Sequence, residues 1–266
     1  DTPALIRQLP GGSAANTAAW LGELGAAVDF VGAVGRGAGG SDAARHAAAL
    51  PGVVAHIATH PKLPAGTIVV VVQGQTRTML TQRGANLALD PADVTADLLA
   101  GAGVLHLTGH VLLNDAGAAG VVDLIARANA AGVAVSVDPG SAGFIADYGV
   151  EPFLAAISGA SIVFPSLEEG SILTGLAAPR SIALKLAESF ETVVLTMGTE
   201  GVLVAQGETV EAVEAVPADV VDPTGAGDSF CAGFLAEWVR SRDATAAARA
   251  GVVVGARAVT TVGGRP

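Results

Sequence analysis

Three short runs in this chain, Val104–Leu107, Val133–Val137 and Thr192–Thr196, show no apolar/polar alternation. A strand keeps such a pattern only when both of its faces are buried. Between these runs lie stretches long enough for helices: Ala116–Ala131, a segment near Pro152–Ser158, and one around Ser181–Ser189. Strands of this kind alternating with helices restrict the chain to a mostly parallel sheet covered on both faces, an α/β fold. Ser13–Leu24 and Asp42–Leu50 also carry helical spacing, Val28–Val34 and Ser161–Phe164 read as strands, and Asp90-Pro91 predicts a capped helix to about Ala100. The chain closes with a hairpin (Val202–Ala205 with Val210–Val216) and two helices, Asp228–Arg240 and Ala244–Val259.

Segment 51–90 breaks this rhythm. It carries Pro51, Pro61 and Pro64, and its β-type runs Thr67–Val72 and Thr76–Leu80 flank Gly74-Gln75. This predicts a hairpin in a small β appendage, a candidate lid.

Composition limits the function. At 266 residues the chain suits one α/β domain with a small appendage. No apolar run is long enough for a membrane span, and Asp1-Thr2-Pro3 lacks the basic and apolar regions of a signal peptide. A single cysteine, Cys231, excludes an internal disulfide and a cysteine-based zinc cluster, and fits a cytoplasmic setting. A formal charge of −11 with only two lysines, Lys62 and Lys185, leaves little from which to build a nucleic-acid-binding face.

The chemistry is concentrated at residues 222–233, Asp-Pro-Thr-Gly-Ala-Gly-Asp-Ser-Phe-Cys-Ala-Gly. Gly225 and Gly227 stand at a helix start, where backbone N–H groups can face an anion unobstructed. Asp228 follows at once. An acid in a first helical turn often only complements the helix dipole. Beside an anion cradle it can instead take a proton from a hydroxyl, and base, hydroxyl and cradle are the parts of a phosphoryl transfer. A second constellation, Gly11-Gly12-Ser13-Ala14-Ala15-Asn16, leads paired glycines into a helix. It reads either as a Ser13 cap or as a surface where substrate hydroxyls meet backbone amides and Asn16.

Other motifs fall away. Gly35-Arg36-Gly37-Ala38-Gly39-Gly40 spells a dinucleotide loop, but no Asp or Glu occurs between Asp42 and Asp90 to hold a ribose. Neither lysine follows a glycine, so there is no Walker A loop. His106 and His110 sit across a strand end without the acid of a zinc-protease helix.

Gly11–Asn16 and Asp222–Asp228 together resemble the two signatures of the PfkB (ribokinase-like) carbohydrate kinases; the second differs from the usual D-T-T-G-A-G-D only at Pro223. Arg83–Asn86, Val137-Asp138-Pro139 and Leu195–Gly201 also look like family segments. The resemblance implies a three-layer αβα sandwich in a single domain over 1–266, with a β lid from roughly 1–10 and 51–90. It implies ATP-dependent phosphorylation of a primary hydroxyl on a small sugar. Asp228 would be the base, the amides of Gly225, Ala226 and Gly227 the anion hole, and Gly11, Gly12 and Asn16 the sugar contacts. Thr196, Gly198, Gly201 and Thr224 would serve ATP. Glu169 would act on Mg²⁺ indirectly, and Asp222 could hold a monovalent cation such as K⁺. Homodimers through the lid are a further implication.

The match has departures. Ser166 replaces the Asn of the family's N-x-x-E motif, and Glu200 stands where many relatives are basic. Relatives also carry an N-terminal strand and an early substrate-binding Asp, whereas ten residues precede Gly11 here; that strand is expected to be missing from this sequence. Two alternatives stay open: a nucleoside (adenosine-like) kinase, and a non-catalytic sugar or nucleotide sensor. The absence of Phe, Trp and Tyr between Phe30 and Phe144 favours a sugar over a stacked base.

Overall fold

The computed structural model describes residues 7–73, 76–114 and 116–266. Six strands form the main sheet: β5 (Val104–Thr108), β6 (Ala134–Asp138), β7 (Ile162–Val163), β8 (Thr192–Thr196), β9 (Val202–Gln206) and β10 (Thr209–Val213). Their order is β10-β9-β8-β7-β6-β5. β5 to β8 run parallel, and β9 and β10 turn back antiparallel. The runs without alternation supply β5, β6 and β8; Val135 in β6 and Val193, Val194 and Leu195 in β8 have no exposed surface, while β5 lies at the edge of the described sheet.

One face of the sheet is covered by α4 (Gly117–Ala130), α5 (Ala142–Tyr148), α6 (Val150–Ala156), α7 (Leu167–Thr174) and α8 (Pro179–Ala187), which share a core built on Leu124, Ile145, Phe153 and Ile182. The other face is covered by α9 (Ala226–Ser241) and α10 (Ala244–Ala258), with α1 (Ser13–Glu23) against α9. There Phe164 meets Phe234 edge-on at 5.0 Å and Phe230 at 6.4 Å. This is the αβα sandwich expected.

β1 (Val28–Gly35) and β2 (Val53–His60) form a separate parallel pair, bridged by α2 (Ala38–Ala48). β3 (Thr67–Gln73) and β4 (Thr76–Gln82) form the expected antiparallel hairpin. Its turn at Gly74-Gln75, and residues 1–6 of the lid reading, lie outside the described residues. β2 therefore pairs with β1, so only part of segment 51–90 is hairpin. Ile68, Val69, Val71 and Leu80 are each more than half exposed.

Several boundaries differ from the sequence reading. Asp90 does cap, accepting from the Ala92 N–H, but it starts only a 3-10 turn over Pro91–Asp93. Thr95 then opens α3 (Ala96–Ala100) as a separate helix. α5 and α7 have no counterpart in the sequence reading. Both are seven or eight residues long, too short for a periodic apolar stripe to stand out.

Candidate active site

The first turn of α9 sets the geometry. Gly225 caps it at φ 78°, a left-handed conformation natural to glycine. A Cβ at Gly225 would lie 2.5 Å from Gly264 Cα, so the chain near Arg265 runs directly over this turn. At Gly227 a Cβ would meet open space. The N–H groups of a first helical turn have no partner inside their helix; here that of Ala226 makes a long bond of 3.3 Å to the Pro223 carbonyl.

Asp228 is only 9% exposed. An acid that merely complemented a helix dipole would sit in water and stay readily ionised. Here burial pushes the carboxyl up to about 6, against hydrogen bonds from Asn16 and Ser13 and the charge of Arg265, which all favour the ionised form. Asn16 Nδ2 donates to Asp228 Oδ2 at 2.7 Å across the α1–α9 contact. Gly12, at φ 95°, starts α1, and Asn16 lies on its first turn, its N–H bonded to the Gly12 carbonyl at 2.8 Å. The two glycine-rich motifs, over 200 residues apart, thus share one hydrogen bond.

The chain after α10 closes over this pair. Trp20 Nε1 donates to the Gly264 carbonyl at 3.0 Å. Arg265 Nε donates to Asn16 Oδ1 at 3.1 Å, and its Nη2 to the Gly11 carbonyl at 2.9 Å. Asp222 Oδ2 accepts from the Gly263 N–H at 3.0 Å, while Oδ1 accepts from Thr224 at 2.9 Å. Asp222 and Thr224 therefore help to fix the approach to α9.

Thr196, Gly198 and Gly201 lie at the opposite side of the strand ends. Thr196 finishes β8 and bridges to Ser166, its N–H bonded to the Pro165 carbonyl at 2.9 Å. Gly198 starts a 3-10 turn with open space at its Cα, and Gly201, at φ 85°, accepts from the Met197 N–H at 2.9 Å. Glu200 is exposed on that turn.

Ser166 and Glu169 form a capping box at α7: the Ser166 N–H donates to Glu169 Oε2 at 2.8 Å, and the Glu169 N–H to Ser166 Oγ at 3.3 Å. The serine at this position has a local reason, because Ser-x-x-Glu satisfies two orphan donors reciprocally. Burial raises the Glu169 carboxyl against the bonds it accepts from Ser166.

Asp138, at the end of β6, links the two sides. Its carboxyl is pushed up to about 8, first by burial and then by Glu169 and Asp228; the Gly140 N–H, donating at 2.8 Å, opposes the shift. Three carboxyls therefore converge at the carboxyl ends of the parallel strands, where ligands of α/β sheets bind. Among the described residues no group of His, Cys, Asp and Glu is arranged to hold a metal by itself. The histidines are structural: His106 Nδ1 pairs with Ser136 Oγ at 2.9 Å, and His110 stacks on Phe144.

Asp138 and Arg265 were not singled out as site residues from the sequence. A carboxylate ending an apolar strand was a readable signal for Asp138. Arg265 carried none, since its partners lie almost a whole chain away.

The profile of the pfkB family carbohydrate kinases matches residues 3–266. An ATP-dependent ribose-1-phosphate kinase of Halopiger xanaduensis is 31% identical over 89% of this chain and 76% of its own length. A cytidine kinase of Thermococcus kodakarensis is 38% identical over a shorter stretch, 36% of each chain. Among solved structures, adenosine kinase from Sinorhizobium meliloti superposes with a TM-score of 0.89 at 27% identity, covering 96% of this chain and 79% of that one.

Proposed function

The chain belongs to the pfkB family of carbohydrate kinases, and from that premise we propose that it transfers the γ-phosphoryl group of ATP to a primary hydroxyl of a small sugar, with Asp228 as the base. One observation carries the proposal: Asp228 is buried, raised toward neutrality and bonded to Asn16, yet it adjoins a helix start open above Gly227. A base poised near the working pH suits proton transfer from a hydroxyl.

In this reading Gly11, Gly12 and Asn16 orient the acceptor. The amides of Gly225, Ala226 and Gly227 face the charge that develops on the moving phosphoryl group. Thr196, Gly198, Gly201 and Thr224 line the nucleotide side. Mg²⁺ bound with ATP would neutralise phosphate charge. The protein side fits a metal held mainly by phosphate oxygens and water, because one Glu169 oxygen already accepts from the Ser166 N–H; Glu169 would act on the metal through water. Asp222 accepts the Thr224 N–H on one oxygen and the Gly263 N–H on the other; monovalent-cation activation is tested by exchanging K⁺ for Li⁺.

A sugar is favoured over a nucleoside because no Phe, Trp or Tyr occurs between Phe30 and Phe144, a stretch that includes the whole lid segment 51–90, to stack a base. The exposed apolar hairpin β3–β4 fits a homodimer contact, and among the described residues no helix is long and apolar enough to cross a membrane. A cytoplasmic setting, with sugar and ATP as the small-molecule partners and no nucleic acid, completes the proposal.

The test is ADP release from Mg-ATP with a panel of sugars, sugar phosphates and nucleosides. A nucleoside as the best acceptor would replace the sugar reading. No acceptor-dependent ADP on the whole panel would favour a sensor.

A further inference from the structure

We propose that Arg265 is a positioning residue for phosphoryl transfer, fixing the Asn16 amide so that Asp228 receives the acceptor's proton on Oδ1. This rests on Asp228 being the base. A guanidinium only donates. The atom of Asn16 that faces Arg265 Nε at 3.1 Å must therefore be the amide oxygen. The amide nitrogen is left to face Asp228 Oδ2 at 2.7 Å.

The guanidinium is itself held. Its Nη2 donates to the Gly11 carbonyl at 2.9 Å, so two different nitrogens are bonded and the planar fork cannot swing. The preceding residue helps. A Cβ on Gly264 would stand 2.5 Å from Asn16 Nδ2, so only glycine lets this segment lie against the amide. Trp20 Nε1 pins the Gly264 carbonyl from α1. Turning the Asn16 amide over would aim its NH₂ at the guanidinium and its oxygen at the carboxylate, losing both bonds.

A fixed amide makes the two oxygens of Asp228 unequal. The Asn16 N–H already occupies Oδ2, so Oδ1 is the better receiver of the proton, and the Ser13 hydroxyl beside the carboxyl can turn from donor to acceptor as it arrives. In the transfer the acceptor's O–H bond breaks and its proton passes to Oδ1. Its oxygen bonds to the γ-phosphorus, and the bond from that phosphorus to the β–γ bridging oxygen breaks, its electron pair leaving with ADP. The charges around Asp228 are Arg265 above, Asp138 from β6 and Glu169 from α7, with the neutral Cys231 thiol one turn along α9. Arg265 is the one of these that favours the carboxylate.

The test compares the full chain with Arg265→Met and Arg265→Lys. In substrate-free protein, carboxyl-carbon NMR follows Asp228 titration, and the side-chain amide signals report Asn16. Arg265→Met is expected to move the Asp228 midpoint up and to collapse the distinct Asn16 amide signals. Arg265→Lys keeps the charge but lacks the fork, so the midpoint stays near wild type while the Asn16 signals still change. In turnover, kcat of Arg265→Met falls on the order of 10–100-fold with KM for ATP unchanged, and the acid limb of its pH profile moves up. An unchanged Asp228 midpoint and unchanged Asn16 signals in a folded Arg265→Met would overturn the proposal. Inactivity of the wild type on every acceptor would instead remove the kinase reading, with the hold on Asn16 still decided by NMR.

Discussion

The start of α9 and the β3–β4 hairpin are opposites built from similar material. Both are rich in small and apolar residues. At α9, Phe230, Phe234 and Leu235 are buried under α10 and the sheet, and the one carboxylate of the first turn is fixed by residues from both ends of the chain. In the hairpin, apolar side chains point outward on both faces with no described cover. The difference shows where each task can be placed. Proton transfer needs a group held within a fraction of an ångström, which only packed elements provide. Admission of a substrate, or docking of a second copy, can use an element whose contacts are still to be made.

The harshest test of this division is Asp228→Asn. It should lower kcat by roughly 10²–10⁴-fold, the usual weight of a general base, while the melting temperature holds or rises because a buried charge is gone. A variant with undiminished turnover would break the assignment of chemistry to this turn. Next is Phe234→Ala, on the inner face of the same helix and fully buried. A loss of about 3–5 kcal/mol in urea unfolding is expected for a buried phenylalanine. Leu80→Asp in the hairpin, at 60% exposure, should change stability by no more than about 0.5 kcal/mol, yet shift sedimentation toward monomer. If it unfolds the protein instead, the two regions are not independent.

The last test concerns pH. Asp138 and Asp228 are raised to about 8 and about 6 in the fold, from an ordinary value of 3.8. The folded state therefore binds these protons more tightly than the unfolded chain. Their contribution to stability is full below about pH 4 and is lost as pH rises through those two values. Thermal melts should fall between about pH 4 and about pH 8, and Asp138→Asn should flatten the decline. An equally steep decline in that variant would place the titrating groups elsewhere.

What could be read in advance follows the same contrast. The central strands were legible because burial on both faces writes itself into consecutive residues, as in Thr192–Thr196. Gly225–Asp228 was legible because the whole anion cradle is local. Ser166–Glu169 is spelled out too, since Ser-x-x-Glu is a capping box as well as a variant of the family's N-x-x-E. Over 90–100 the sequence predicts one helix where the chain makes a 3-10 turn and then α3, because Asp-Pro caps either kind of turn. Arg265 could not be read at all: its contacts with Asn16 and Gly11 span 249 and 254 residues, and no local pattern encodes them.

Those spans also set a timetable. α1 leaves the ribosome long before α10, and Asn16 and Trp20 must then wait for Gly264 and Arg265. Contacts so distant along the chain are slow to close. Until the last of them emerge, a nascent chain can form most of its sheet and still have no organised base, so translation itself withholds the site until the fold beneath it can be finished.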